Sequence, residues 1–357
     1  MTTVGILLDH RVYLRLQSGR TGNERMELYH KAARRLGLKL IYMCLSGTNL
    51  RRREVRGFVR MGNRYIRSTQ AIPGVIHNRS FPHGRLERIR LRGLAQYSYM
   101  FNAQNRYSKY SIHRLLQQDP WLSQHLPTSQ SYSRHNLRRM MRFYDTLFIK
   151  PQRGSIGRGI MRIQRRKSGL WTIQSSSGSY TISKKAILYK VQRKVGSRQY
   201  MIQEAINLAS YYGRPYDIRV SVQRGQSGKW QITGMVGKVA RKGSHVTNVE
   251  KGGTVKRCEM LFRHSRLPVH TTRARVIRAS LQFANFLGRK LYRLGDLGLD
   301  IGINEEGKAY FIEMNCRDQR YSFAKAGLNR AFYRAYETPL RYAAYIARRR
   351  RGASFIA

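Results

Sequence analysis

Six of the chain's 18 acidic residues fall between Asp296 and Asp318, in a protein with 69 Lys and Arg residues and a formal net charge of +51. They are Asp296, Asp300, Glu305, Glu306, Glu313 and Asp318. The runs LGLDIGI and KAYFIEMN flank Asn304-Glu305-Glu306-Gly307 and are strand-like, and the connector has the Asn and Gly of a hairpin turn. Pairing Ile303 with Lys308 places Asp300 opposite Phe311, so that Phe311, Glu313 and Asn315 share a face with Asp300. A one-residue slip would turn Asp300 to the other face. Diagonal neighbours on such a face lie about 7–8 Å apart. Two carboxylates and an amide converging over that span suit Mg²⁺, with Mn²⁺ as the alternative, because hard cations take oxygen ligands alongside substrate phosphates. A solvated hairpin end is the competing reading.

A second stretch has the makings of a phosphate cradle. In LFIKPQRGSIGRGIMRI, Lys150 ends an apolar strand, and Gly154, Ser155, Gly157 and Gly159 form the loop before the next strand. Backbone N–H groups of such a loop approach phosphate oxygens closely, and the lysine adds a point charge. This is not a Walker A motif, since GK[ST] is missing and a strand follows where a helix would. Taken alone, a mobile hairpin explains the glycines equally well.

Positioning these groups requires a mixed α/β scaffold. TVGILLD reads as a strand, GNERMELYHKAARRLG as a helix capped by Asn23 and stopped by Gly37, and LKLIYMC as the next strand of a β-α-β unit. No GxGxxG follows the first strand, so a dinucleotide fold is unsupported. The expected organisation is an α/β domain over residues 1–95, a section of alternating strands and turns with the Gly-rich loop over 96–209, a last α/β section with the acidic hairpin over 210–345, and a basic tail over 346–357. FNAQNRYSKYSIHRLLQQDPWLSQHLPTS reads as one helix with a proline-marked exit, and the SSSGS run at Ser175–Ser179 as a hairpin turn.

Bulk properties narrow the classes. A chain of 357 residues with 41% hydrophobic content buries sizeable cores. No apolar run approaches the ~20 residues needed to span a bilayer, and MTTVGILLDH lacks the basic start and long apolar stretch of a signal peptide. Cys44, Cys258 and Cys316 show no CxxC spacing, which argues for a reducing, cytoplasmic setting and against a disulfide framework or zinc site. The charge implies anionic partners such as nucleic acid, acidic polymers or nucleotides. No zinc finger, RNA-binding sheet signature or heptad with a basic region accompanies it.

Together, the strand lysine, the Gly-rich loop and the hairpin with 12 residues between Asp300 and Glu313 resemble the ATP-grasp superfamily. YMIQEAI resembles the strand and hinge that hold adenine in that fold. YDIRV at Tyr216–Val220 resembles its D-x-R strand, TNVEKGG at Thr247–Gly253 its substrate-side loop, and NRYSKYSIHRLL carries Lys109 in place of its first nucleotide lysine. GSIGRGI, GDLGLDIGI and IEMNCRDQRYSF, in that order, are similar to the YheC/YheD-type ATP-grasp proteins linked to endospore coats, over about residues 96–345.

The resemblance implies an ATP-grasp fold preceded by a small α/β pre-grasp domain, with ATP between two lobes. Lys109 and Lys150 would contact the α- and β-phosphates and the adenine edge, under the hairpin of Gly154, Ser155, Gly157 and Gly159. Gln203, Glu204 and Ala205 would hold adenine, and Asp300, Glu313 and Asn315 the metal. Arg219 would stabilise the transferring phosphoryl group, and Asn248 would sit near the acceptor. The implied reaction joins a carboxylate, here expected to be anionic, to an amine through an acyl phosphate. Two other classes stand beside it: an ATP-binding, coat-associated assembly protein with little turnover and coat proteins as partners, and a basic nucleic-acid-binding protein. The location follows as cytoplasmic or coat-associated. Locally, Asp217 and Arg219 share a strand face and are placed to pair with each other. Lys238 is a secondary candidate, Asp318 is expected to orient Arg317 or Arg320, and Cys316 to be a packed side chain.

Overall fold

The computed structural model describes residues 1–154, 157–176 and 178–353, and in it the chain is organised around three sheets. The first holds β1 (Thr2–Leu7), β2 (Leu38–Asn49), β3 (Glu54–Met61), β4 (Arg64–Ala71), β5 (Val75–Asn78) and β6 (Tyr99–Phe101), in the order β4-β3-β2-β1-β5-β6. β1 runs parallel to β2 and β5, as a β-α-β unit requires. The intervening helix, Met26–Arg35, buries Met26, Tyr29, Ala32 and Ala33, which fall on one face at helical spacing. It starts later than a cap at Asn23 would have it. Arg25 takes the N-cap position, and its N–H donates to the Tyr336 hydroxyl. Gly37 follows the last turn in the left-handed region, as expected of a helix stop.

The second sheet holds β7 (Ser129–Ser131), β8 (Thr146–Pro151), β9 (Met161–Arg165), β10 (Trp171–Ser175), β11 (Gly178–Ile182) and β12 (Tyr200–Glu204), in the order β11-β10-β9-β8-β12-β7. β10 and β11 pair with Ser175 opposite Gly178, while Ser177 of the expected turn lies outside the described residues. The third sheet holds β13 (Ser210–Tyr211), β14 (Arg214–Arg224), β15 (Trp230–Val239), β16 (Thr254–Lys256), β17 (Asp296–Ile303) and β18 (Ala309–Asn315). Its order is β16-β15-β14-β17-β18, with β13 paired to β14. The helix Val269–Lys290 packs Val276, Ala279, Phe283, Ala284 and Leu287 into the core on one face, leaving the other face for polar side chains.

Three details depart from local expectation. The single helix expected around residues 101–129 is two, Lys109–Leu116 and Pro120–Ser123, because Asp119 caps a new start and Pro120 occupies its first turn. Their buried residues Ile112, Leu116 and Leu122 join the core of the third sheet. Residues 346–353, expected as tail, continue the helix Asn329–Ala353, and Ile346 and Ala347 pack into the core of the first sheet.

The hairpin register is the third. Asn304 and Lys308 close the turn, with the Asn304 N–H donating to the Lys308 carbonyl and Gly307 at φ 71°. A short loop with a left-handed glycine results, so Ile303 pairs with Ala309 rather than Lys308. A β-bulge at Ile312 then shifts the ladder again, and Asp300 pairs directly with Glu313. Phe311 therefore faces the core opposite Ile301, its ring 5.0 Å from that of Phe283, and does not share the face of Asp300. Asn315, opposite Gly298, does share it.

Candidate active site

The polar face of the third sheet gathers charge across four adjacent strands. β14 presents Asp217, Arg219 and Ser221 at alternating positions, which a strand puts on one side. Arg219 pairs in register with Asp300, Asp300 with Glu313, and Asp217 with Lys238 of β15. Arg219 grips Asp300 with two donors, Nε to Oδ1 at 2.6 Å and Nη2 to Oδ2 at 3.2 Å. Lys238 Nζ lies 3.0 Å from both Asp217 Oδ1 and Asp300 Oδ1. The Thr247 hydroxyl donates to Asp217. Asp217 and Arg219, expected to pair with each other, thus take separate partners.

Burial and neighbours set the protonation of this floor. Burial opposes ionisation of Asp300, but Arg219 and Lys238 outweigh it and hold its pKa at about 2. Burial dominates at Asp217, where Lys238 only partly offsets it and the nearby Asp300 charge adds to it, and the pKa rises to about 6. Burial also works against the charged forms of Lys238 and Arg219. Their carboxylate partners prevail, and both cations are held above their usual values.

The second sheet supplies the opposing wall. Lys150, on β8, donates to Gln203 Oε1 at 2.6 Å, and Gln203 Nε2 donates to Ser129 Oγ at 3.0 Å. Burial pulls the pKa of Lys150 down to about 8. Lys109, at the start of its helix, spans the gap between the sheets. Its ammonium donates to Glu313 and reaches the Gly154 carbonyl at 3.3 Å. The Gly157 carbonyl accepts from Lys251 Nζ at 3.0 Å, so the Gly-rich loop also meets the loop between β15 and β16. At Gly159, with φ +75°, a Cβ would lie 2.9 Å from the Tyr200 hydroxyl, and only glycine fits without a shift.

The structure therefore brings Lys109, Lys150, Gly154, Gly157, Gln203, Arg219, Asp300 and Glu313 together where the second and third sheets meet, with Gly159 and Asn315 on the elements that carry them. Ser155 lies outside the described residues. The N–H groups of Glu204 and Ala205, expected to serve adenine, donate to the Thr128 and Thr146 carbonyls and are already used. Asn248 caps a short 3₁₀ turn by accepting from the Glu250 N–H, which restricts its side chain. Asp318, expected to orient Arg317 or Arg320, instead accepts from Arg219 and from the Ser221 hydroxyl. Sequence reasoning names Asp217 only in the D-x-R strand and gives it no role in the site, and it does not single out Ser221 or Thr247. The alternation of Asp217, Arg219 and Ser221 along one strand is a usable signal for Asp217 and Ser221, whereas Thr247 is marked only by its place at the head of TNVEKGG.

Whether a divalent metal suits this floor depends on its donors. Among the described residues no three His, Cys, Asp or Glu side chains cluster as a metal site, so a side-chain ligand beside Asp300 and Glu313 would come from another residue type. Asn315 offers one: its Nδ2 is buried and has no hydrogen-bond partner. Turning that amide puts its oxygen there, completing an all-oxygen set suited to a hard cation. Arg219, Lys238 and Lys109 neutralise the two carboxylates.

Comparison with known proteins places this architecture. Residues 98–346 match the family described as YheC/D-like ATP-grasp. Two curated relatives from Bacillus subtilis (strain 168) are similar to the chain. The endospore coat-associated protein YheD is 24% identical, covering 82% of this chain and 67% of its own length. The endospore coat-associated protein YheC is 22% identical, covering 77% and 78%. Among solved structures, the ATP-grasp ligase PsnB complexed with a minimal precursor superposes with a TM-score of 0.55 at 12% identity, covering 92% of this chain and 95% of that one. The fold is thus that of the ATP-grasp proteins, and the chain belongs to the YheC/D-like ATP-grasp family.

Proposed function

We propose that this protein is an ATP-dependent ligase that joins an acidic carboxylate to an amine through an acyl phosphate. The observation that carries the reading is the charge cluster itself, where Lys109, Lys150, Arg219 and Lys238 gather with Asp217, Asp300 and Glu313 beside a glycine-rich loop. Lys109 and Lys150 would meet phosphate oxygens, and the amide N–H groups of Gly154, Gly157 and Gly159 would cover them; Ser155 of the same loop lies outside the described residues. Gln203, Glu204 and Ala205 border the base, through side chains and carbonyls rather than the two N–H groups already used. Arg219, which donates to Asp300 through Nε and Nη2 and to Asp318 through Nη1, would turn its remaining N–H groups to the transferring phosphoryl group. Asn248 and Thr247 lie on the acceptor side.

Asp300, Glu313 and Asn315 would hold Mg²⁺, or Mn²⁺ in its place, which when bound offsets the negative charge on the phosphates. In the first step a carboxylate oxygen of the acceptor attacks the γ-phosphorus and ADP leaves. In the second the amine nitrogen attacks the acyl carbon, phosphate leaves with the bonding electron pair, and the amine gives up a proton. The lobes exclude water from the acyl phosphate between these steps. Hydroxylamine in place of the amine gives a direct test. With ATP, Mg²⁺ and a panel of acidic carboxylates, hydroxamate and ADP should appear in equal amounts. Phosphate transferred to a hydroxyl with no hydroxamate would make the protein a kinase. ATP binding without turnover across the panel would favour an assembly role, which the coat-associated relatives support as the second reading.

A further inference from the structure

Asp318 is a fully buried carboxylate that phosphate, acceptor and metal leave without a task. Its Oδ1 accepts from Arg219 Nη1 at 3.2 Å, and its Oδ2 accepts from the Ser221 hydroxyl. Its main-chain oxygen accepts from Arg79 Nη2 at 2.9 Å. Arg79 follows β5 of the first sheet, is itself held by Glu24 Oε1 at 2.6 Å, and lies 3.5 Å from Asp296. Arg320 and His77 converge on the same Asp296 carboxylate. Asp318 is therefore fixed from two sheets at once, by groups that are all buried.

The backbone makes room for it. Gly298 sits opposite Ser221 on β14 and opposite Asn315 on β18. A Cβ at that position would collide with Asp318 Oδ1 and lie 3.2 Å from Arg219 Nη1. Any side chain there would displace the contact between the two. Removing a carboxylate from water is costly unless its partners compensate, and the partners here are Arg219 and Ser221.

The partner is Arg219. Its guanidinium is held along one edge by Asp300 and at Nη1 by Asp318. If Asp300 turns toward a cation, the first anchor weakens and Asp318 is the one that stays. We propose that Asp318 is the positioning residue for Arg219, keeping its guanidinium aimed at the transferring phosphoryl group while Asp300 serves the metal. This inference rests on the ATP-dependent phosphoryl transfer proposed above.

The test uses the full chain, Mg²⁺, ADP and ADP with fluoroaluminate, a mimic of the planar phosphoryl group in transfer, with affinities read by calorimetry. Asp318→Ala should keep ADP affinity within about twofold and lose roughly 10- to 100-fold in affinity for the mimic, the range seen when a supporting partner is removed. Arg219→Lys should show the same pattern, and the double variant should be no weaker than Arg219→Lys alone, because both changes remove one function. Ser221→Ala, which deletes a single hydroxyl, should show a smaller loss in the same direction and decides the matter if Asp318→Ala does not fold. Equal losses for ADP and mimic, unchanged mimic affinity, or losses that multiply in the double variant would overturn the positioning role. Wild-type protein that binds neither ligand would instead overturn the nucleotide reading, and this inference with it.

Discussion

Lys150 lies one residue before the end of its strand and donates to Gln203, and burial lowers its pKa to about 8, with the Glu313 charge opposing that shift and the Lys109 charge adding to it. In the free protein the ammonium is then mostly charged at neutral pH and loses its proton as pH rises through about 8. Phosphate oxygens favour the charged form and raise the pKa in the complex. Nucleotide binding should therefore take up a proton above that pH and weaken as pH rises further. ADP titrations in buffers of different ionisation enthalpy measure the uptake directly. In Lys150→Met the uptake should vanish and the affinity fall. Uptake of the same size in the variant would mean that another group titrates.

At the scale of elements, the two hairpins that face each other work by opposite means. The acidic hairpin depends on its bulge. Phe311 and Glu313 are two residues apart, and a regular strand would put them on the same face. The extra residue at Ile312 sends Phe311 into the core and Glu313 to Asp300. The Gly-rich hairpin depends on backbone that other residues avoid. Gly159→Ala adds a methyl group in the left-handed region, 2.9 Å from the Tyr200 hydroxyl and 3.1 Å from the Pro151 ring. It should cost about 1–2 kcal/mol of stability from backbone strain alone, and lower ADP affinity by moving the loop. Gly169→Ala is the control, since φ is +79° there but nothing lies within 4 Å of the added atom. It should lower the melting temperature while leaving ADP affinity intact. Equal ADP affinity in both variants would separate the loop from nucleotide binding.

The whole molecule carries a formal net charge of +51, and self-repulsion on that scale opposes the compact state. Several of its acids are placed inside: Glu24, Asp217, Asp296, Asp300 and Asp318 are all buried against cations. Screening acts mainly on exposed charge, and the Debye length falls from ~30 Å at ~0.01 M salt to ~8 Å at ~0.15 M. The melting temperature should therefore rise over that range, as repulsion among surface arginines fades while the buried pairs persist. A melting temperature that falls with salt would show that exposed ion pairs outweigh the repulsion. Among the described residues no helix is long and apolar enough to cross a membrane. The last helix, Asn329–Ala353, sets Ala335 in a cluster with Val236 of the third sheet and Phe323, and Ile346 against the first sheet, so it joins the two ends of the fold.

Some of this was determined by the sequence alone, wherever the chemistry depends on neighbours along the chain. The Gly-rich loop after a strand lysine, the Asp and Glu-x-Asn of a hairpin and the D-x-R of a strand are local spacings, and a strand or turn converts each into geometry with little freedom. The β-α-β opening was legible for the same reason, through its apolar periodicity and Gly37. Partner choice was not. Asp217 turned to Lys238, and Arg219 to Asp300 and Asp318, 81 and 99 residues along the chain. The bulge at Ile312 reversed the face of Phe311, and Arg25 replaced Asn23 at a helix start. Only the tertiary structure decided these, because which ions meet inside a protein depends on how sheets stack and on the desolvation each ion must escape, and neither is written in the order of residues.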